Sequence, residues 1–392
     1  MNRRMVYLLT AGAFLAVTAE LLLVGVVDRI AVDLRIDIAS AGQLVTAYAL
    51  AFAIGTPLVV TLTARLERKR VMLTSFACFI AANLIAFLGP NYAVLMVSRA
   101  MLGVSGGVYA VVAMGALSRL VPAEQWGRAI GTFTSGLSGS LVLGVPLGVA
   151  LSGWLGWRGA FGVLAALGLP ILLGIARTVP AVPGGEAIPF KTQFSVFRNG
   201  KIESGFGITL LWGTGFSAAY TFVTPFLRES ADMDTSMISL TMFVLGVFSI
   251  AGSRLGGYGA DRFGVEKTIY VSLAVHALAL LILPVSGVTT ATVMLAAAVW
   301  FTAAWITSPA IQTYFIRLAP QSPDLALSLN TSVMQVGFAL GAALGGLVAR
   351  WAGTVTSTPW AGGCIVFLAA AAAWFSFSRQ ARLRESERCR EI

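Results

Sequence analysis

The stretch Gly144-Val145-Pro146-Leu147-Gly148-Val149-Ala150-Leu151-Ser152-Gly153-Trp154-Leu155-Gly156 returns 197 residues later as Gly341-Ala342-Ala343-Leu344-Gly345-Gly346-Leu347-Val348-Ala349-Arg350-Trp351-Ala352-Gly353. Gly144 aligns with Gly341, Gly148 with Gly345, Trp154 with Trp351 and Gly156 with Gly353. The same offset pairs Gly55 with Gly252, Arg65 with Arg262 and Arg70 with Lys267. One residue out of step, Arg119-Leu120-Val121-Pro122 is echoed by Arg317-Leu318-Ala319-Pro320. In a chain with 42 glycines a glycine match carries little weight. A tryptophan and basic residues sharing one offset carry more. The chain reads as a duplicated unit.

Both copies are apolar. Hydrophobic residues make up 57% of the chain and charged residues 11%, against about 25% charged in a soluble domain. Mean hydropathy is +0.84. A spanning helix needs roughly 20 apolar residues. Twelve such runs are predicted: 6–27, 41–63, 71–89, 93–118, 129–152, 159–176, 203–227, 236–257, 268–284, 289–315, 325–349 and 359–378. These runs are too long for membrane strands, which need about 10 residues of alternating pattern. The expected fold is an all-α integral membrane protein of twelve spans, in two six-helix bundles related by a pseudo-two-fold axis. Parallel duplication of a six-helix unit marks one large class of secondary transporters. The expected organisation is an N-terminal bundle over 1–176, a linker over 177–202, a C-terminal bundle over 203–378 and a tail over 379–392. Pro180, Pro183, Gly184, Gly185 and Pro189 mark the linker.

Most of the 27 Lys and Arg residues fall in segments on the side of the two termini. Only Arg29, Arg35, Arg158, Arg228 and Arg350 fall on the far side, and Arg99 lies within a span. The bias predicts cytoplasmic termini. The net charge of +10 borders membrane helices, where topology and anionic headgroups explain it, so no nucleic-acid partner is expected. Met1-Asn2-Arg3-Arg4 has the charge of a signal peptide, but its apolar run is too long and eleven more follow. Cys78, Cys364 and Cys389 have no metal-ligand spacing. No phosphate loop, metal cluster or nucleophile–base pair is present in the sequence. Enzymatic catalysis, a metal and a cofactor are therefore not expected.

Four motifs carry a family resemblance. Gly257-Tyr258-Gly259-Ala260-Asp261-Arg262-Phe263-Gly264-Val265-Glu266-Lys267, between spans 8 and 9, resembles the loop signature of the major facilitator superfamily. In that family an Asp and an Arg across a tight glycine turn tie neighbouring helices together. The first-half counterpart, Thr63-Ala64-Arg65-Leu66-Glu67-Arg68-Lys69-Arg70, keeps its bases but has Ala64 where Asp261 has its equivalent. Its latch is lost or made by Glu67. Arg99-Ala100-Met101-Leu102-Gly103 in span 4 resembles the family's intramembrane Arg followed by glycines. Gly144, Pro146 and Gly148 in span 5 resemble the Gly-Pro motif of its proton-coupled exporters; ordinary helix packing is the other reading. Thr18-Ala19-Glu20-Leu21 in span 1 resembles the twelve-helix drug:proton antiporters, among them the arabinose, purine and chloramphenicol exporters. That likeness implies a multi-pass protein of the bacterial cytoplasmic membrane that exchanges protons for small amphipathic molecules and works as a monomer. An uptake symporter or facilitator, and a non-transporting membrane sensor, are the competing readings.

Glu20 is the one acid well inside an apolar run. Burying it ionised costs several kcal/mol or more unless it is paired, so proton exchange is its expected role. Helical rise puts Glu20 roughly 10 Å, and Arg99 roughly 9 Å, below the same boundary. The two are expected to pair directly or through water. Asp28, eight residues after Glu20, either competes for Arg99 or is a hydrated loop-edge acid. The offset maps Glu20 to Ser217 and Arg99 to Ala296, which predicts a coupling half and a more passive half. His276, the one histidine, sits in span 9, a peripheral position where hydrogen-bonded packing is expected. Candidate substrate-lining residues are Tyr48, Tyr109, Thr134, Ser138, Trp212, Tyr220, Trp300, Trp305, Gln312, Asn330 and Gln335. Aromatic walls with few charges suit an amphipathic ligand.

Overall fold

Gly156 and Gly353, the last glycines of the repeated stretch, have φ +72° and +68°. Both sit in the region that glycine enters without steric cost, and each ends a long helix. The repeat is thus a repeat of conformation. Arg35 and Asp232, again 197 apart, are the two non-glycine residues with positive φ among the described residues, at 53° and 46°. Asp37 and Asp234 follow as helix N-caps. Their carboxylates accept from the Ser40 N–H at 2.6 Å and the Met237 N–H at 2.7 Å. The sequence reading passed over both pairs.

The computed structural model describes residues 3–122, 125–185, 200–286, 289–319 and 323–390. Among them, ten helices are long and apolar enough to cross a bilayer. The pair Ile202–Tyr220 and Val223–Ala231, bent by 48°, makes one more. The helix Trp126–Thr178 is two spans divided at Gly156. The total is twelve.

Span 1 departs from the continuous 6–27 expected. Helix Arg3–Leu22 gives way to a 3-10 turn, Leu23–Gly25, and then to the short helix Val27–Leu34. Span 7 breaks likewise, at Tyr220. The last helix does not stop at 378: its backbone continues to Arg390, over most of the expected tail.

Spans are held together by glycines that let backbones touch. A Cβ on Gly148 would lie 3.0 Å from Leu22 of span 1, and one on Gly144 3.2 Å from Leu21. Their counterparts are tighter. A Cβ on Gly341 would lie 2.2 Å from the Thr214 carbonyl of span 7, and one on Gly345 2.4 Å from that of Ala218. Trp154 and Trp351 are 82% and 79% exposed at the far ends of spans 5 and 11, the level of the interfacial aromatic belt.

The halves meet along spans 2 and 11 and along spans 5 and 8. Their polar contacts lie at or beyond the middle of the spans, away from the termini. Thr46 donates to the Ala339 carbonyl at 3.2 Å, Ser239 to that of Pro146 at 3.2 Å and Thr224 to that of Val24 at 2.8 Å. Phe222 is fully buried, its ring against Gly42 of span 2 and Gly345 of span 11. One apolar cluster joins Leu21, Val24, Val145 and Val149 to the second half. The far end is sealed.

At the other end, the described start of the linker binds the turn between spans 2 and 3. The Arg68 N–H donates to the Val182 carbonyl and the Gly185 N–H to the Ala64 carbonyl, both at 2.9 Å. Arg119 donates to the Pro183 carbonyl at 3.1 Å. Residues 186–199, with Pro189, lie outside the described residues.

Candidate functional site

The break in span 1 governs the site. A helix end leaves four carbonyls without intrahelical partners, and a cation there is favoured by the helix dipole. Arg99 of span 4 supplies it. Fully buried, its guanidinium donates to the carbonyls of Ala19 at 2.9 Å, Glu20 at 3.4 Å and Leu44 of span 2 at 3.3 Å. It also lies over the Tyr48 ring, 4.7 Å from the centroid. Arg99 therefore ties spans 1, 2 and 4 together.

Of the two expected arrangements, a direct pair between Arg99 and Glu20 is not formed. The N–H groups of Arg99 go to main-chain oxygens, and the Glu20 carboxylate remains an electrostatic neighbour of the guanidinium. That carboxylate accepts instead from Gln335 Nε2 of span 11 at 3.1 Å. Tyr48 faces the same carboxyl group, and Tyr220 lies within its electrostatic reach. Gln335 is 4% exposed and Glu20 half-buried. A group able to change charge thus sits on the seam, bonded to the opposite half.

Asp28 neither reaches Arg99 nor stands hydrated at a loop edge. It forms an ion pair with Arg228 Nη1 at 2.7 Å, its side chain 14% exposed. The pair joins the short outer helices of spans 1 and 7 across the seam. Nearby, Arg158 pairs with Asp33, and Trp157 donates to the same oxygen at 3.2 Å. The Arg158 hydrogen bond holds the Asp33 carboxyl below the usual carboxylate range.

Opposite Glu20, the second half presents aromatic rings. Phe216 of span 7 is their centre. Centroids of Tyr220, Trp300, Phe301, Phe338, Trp212, His276 and Trp305 lie 5.0 to 6.5 Å away, the range of favourable aromatic pairing. The sequence reading named Trp212, Tyr220, Trp300 and Trp305 but missed Phe216, Phe301 and Phe338. Nothing local distinguishes them among 23 phenylalanines. The Trp212 Nε1 and Gln335 Oε1 atoms are buried without a hydrogen-bond partner.

Other candidates fall elsewhere. Tyr109 is fully buried inside the first bundle, its hydroxyl donating to the Leu9 carbonyl at 3.2 Å and its ring packed on Phe76. Trp300 is also fully buried and donates to His276 Nε2 at 3.0 Å. That bond gives the histidine a packing partner. Asn330 accepts from Thr209 at 2.7 Å. Thr134 is exposed and Ser138 half-buried. Gln312 is exposed, 3.4 Å from Ser308.

Among the loop residues, Gly264 has φ +92°, which explains the glycine at that turn. Asp261 and Arg262 are exposed, with Arg262 5.8 Å from the Tyr258 ring centroid. A Cβ on Gly257 would meet nothing within 4 Å. In the first half Glu67 pairs with Arg70 at 3.0 Å, a contact within one helix turn, and Arg65 is exposed.

Two broken first spans and a charged seam between paired six-helix bundles define a membrane transporter fold. The family model of the Major Facilitator Superfamily matches residues 9–323, and the chain belongs to that superfamily. It is 32% identical to the MFS-type transporter YbcL of Bacillus subtilis (strain 168) over 379 residues, 97% of each protein. It is 32% identical to YfhI of the same organism, over 88% of this chain and 87% of that one. Among solved structures it resembles a bacterial homologue of the human lysosomal transporter Spinster, at TM-score 0.83, 16% identity and 95% and 96% coverage. It also resembles the nucleoside transporter NupG, at TM-score 0.78, 17% identity and 95% and 100% coverage. The protein is a multi-pass membrane transporter whose partners are a small-molecule substrate and the lipid bilayer.

Proposed function

We propose that the chain is a proton-driven exporter of small amphipathic molecules, acting as a monomer in the bacterial cytoplasmic membrane with both termini in the cytoplasm. The bundles over 1–176 and 203–378 rock against each other, joined by the linker over 177–202. The hydrogen bond from Gln335 to Glu20 carries this reading. It places the one acid inside a span on the seam where the halves must part. An ionised Glu20 is the stronger acceptor for Gln335, and a hydrogen bond to a charged group is worth about 1.5–3 kcal/mol. Protonation weakens that bond and the attraction to Arg99, so proton binding changes how firmly span 1 holds span 11. Antiport requires substrate and proton to bias one equilibrium in opposite directions, and the seam position of Glu20 meets that requirement. The rings around Phe216 other than the fully buried Trp300, with Trp212 Nε1 and Gln335 Oε1, supply the substrate's wall. The glycines at Gly144 and Gly148 and the exposed Asp261–Arg262 loop serve the rocking motion.

The test is a substrate screen in inverted membrane vesicles with an imposed proton gradient, read by proton release on substrate addition. Exchange dissipates the gradient. Gradient-driven movement of substrate in the same direction as protons overturns export in favour of symport. Binding without movement overturns transport in favour of a sensor.

A further inference from the structure

The seam between spans 5 and 8 holds a recess of about 720 Å³ at the far end, lined by residues of both halves. Among the described residues Arg29 is the one charged side chain in its wall. Arg29 donates to Thr235 Oγ1 at 3.0 Å, one bond from a guanidinium with five N–H groups. The neighbouring acids are committed elsewhere, Asp28 to Arg228 and Asp234 to the Met237 N–H. Polarity falls with depth, the deeper hydroxyl of Ser239 being spent on the Pro146 carbonyl at 3.2 Å. Arg29, Thr235 and Ser236 lie at the rim. Pro146, Ala150, Leu240 and Phe243 lie deeper, Phe243 eight residues into span 8, or about 12 Å of helical rise. Leu240 and Phe243 are 54% and 39% exposed, and Trp154 stands beside the rim. A cation at headgroup level above an apolar slot open to the bilayer matches the two ends of a phospholipid.

We propose that this recess is a phospholipid site, with the phosphate on Arg29 and one acyl chain along Pro146, Ala150, Leu240 and Phe243. The first half supplies Arg29, Pro146 and Ala150, and the second supplies Leu240 and Phe243. The site is therefore whole only while the far end is shut, and a bound lipid holds it shut. This inference stands apart from the identity of the transported substrate.

Native mass spectrometry of the full-length protein, titrated with phosphatidylglycerol in detergent, tests it. Arg29→Gln weakens retention of one lipid about fivefold, the fold-change of about 1 kcal/mol for one cation near an anionic surface. Arg29→Lys keeps most of the binding. Ala150→Phe fills the slot and loses the same lipid with the cation intact. Lys267→Gln, at the opposite end of the molecule, changes nothing. A Gly42→Trp variant, for which the Phe222 ring leaves no room, forces the far end apart and loses the lipid. Asp28→Cys/Arg228→Cys bridged by a bis-maleimide keeps it. Wild-type retention by both Arg29→Gln and Ala150→Phe overturns the site. Equal affinity for a neutral diacylglycerol overturns the phosphate assignment. A bridged protein that binds no lipid overturns the dependence on closure.

Discussion

The two halves share a skeleton and differ in what they hang on it. Both break their first span near the far end, cap the next with an aspartate and end a long helix on a left-handed glycine. At the break they diverge. The first half meets the freed carbonyls with the buried cation Arg99. The second has Ala296 at the matching position and meets its own carbonyls with main-chain N–H groups, Thr221 to Ser217 at 3.0 Å and Phe222 to Ala219 at 3.2 Å, while its hydroxyls reach other spans. Ser217 donates to the Phe338 carbonyl at 2.8 Å and lies 3.2 Å from Thr221 Oγ1, and Thr224 crosses to the first half. Around the shared frame, one half carries Glu20, Arg99 and Tyr48, and the other a cluster of rings on Phe216. Duplication conserves the geometry of motion, and chemistry can be placed on one side of it. A proton site needs a titratable group and a fixed charge; a wall for an amphipathic ligand needs neither.

The comparison breaks first at Glu20. Glu20→Gln keeps the shape and removes the titration, so proton-coupled transport in proteoliposomes falls to background while the protein elutes as wild type. Transport against a gradient with normal pH dependence would place coupling at another residue, with Asp28 the next to test.

Arg99 gives the next largest effect. Removing one partner from a buried charge network costs about 3–5 kcal/mol. Arg99→Met should therefore lower the thermal unfolding midpoint in detergent more than any substitution at Ala296. Arg99→Lys retains the charge but not the fork that reaches three carbonyls, and falls between. Equal stability of wild type and Arg99→Met would show that the break in span 1 needs no cap.

The glycine frame sharpens the comparison. Gly341→Ala drives a Cβ against the Thr214 backbone, where overpacking costs about 1–3 kcal/mol. Gly144→Ala comes no closer than 3.2 Å, to Leu21 Cβ, and 3.5 Å to the Thr18 main chain, a tight contact short of a clash. Thermal midpoints should rank Gly144→Ala above Gly341→Ala. The reverse order would mean that span 1 against span 5 is the tighter joint.

The smallest effect belongs to the outer ion pair. Its partners are 14% and 43% exposed, so it is worth about 1 kcal/mol at most. Asp28→Arg should raise maleimide labelling of a cysteine placed at the buried Val142, which packs on Gly246 in the sealed seam. Asp28→Arg combined with Arg228→Asp should return it to the wild-type level. Failure of the double exchange to restore protection would remove the pair from the closure of the far end.

By itself the sequence determined what local pattern encodes. Run length fixes how many times the chain crosses a bilayer, and one offset reveals the duplication and marks Gly156 and Gly353. An acid in a hydrocarbon run is costly wherever it points, so Glu20 was legible as the proton candidate. Depth along a helix follows from rise per residue, so Glu20 and Arg99 were placed at one level. Direction around the helix does not follow from depth. Tertiary structure alone decided that Arg99 turns to main-chain carbonyls, that Asp28 meets Arg228 and that Tyr109 and Trp300 face bundle interiors. The partner of Glu20 is the clearest case. Gln335 stands 315 positions away, on a helix whose rotation is set by glycine contacts with span 7. No periodicity within either span records which face of one meets the other.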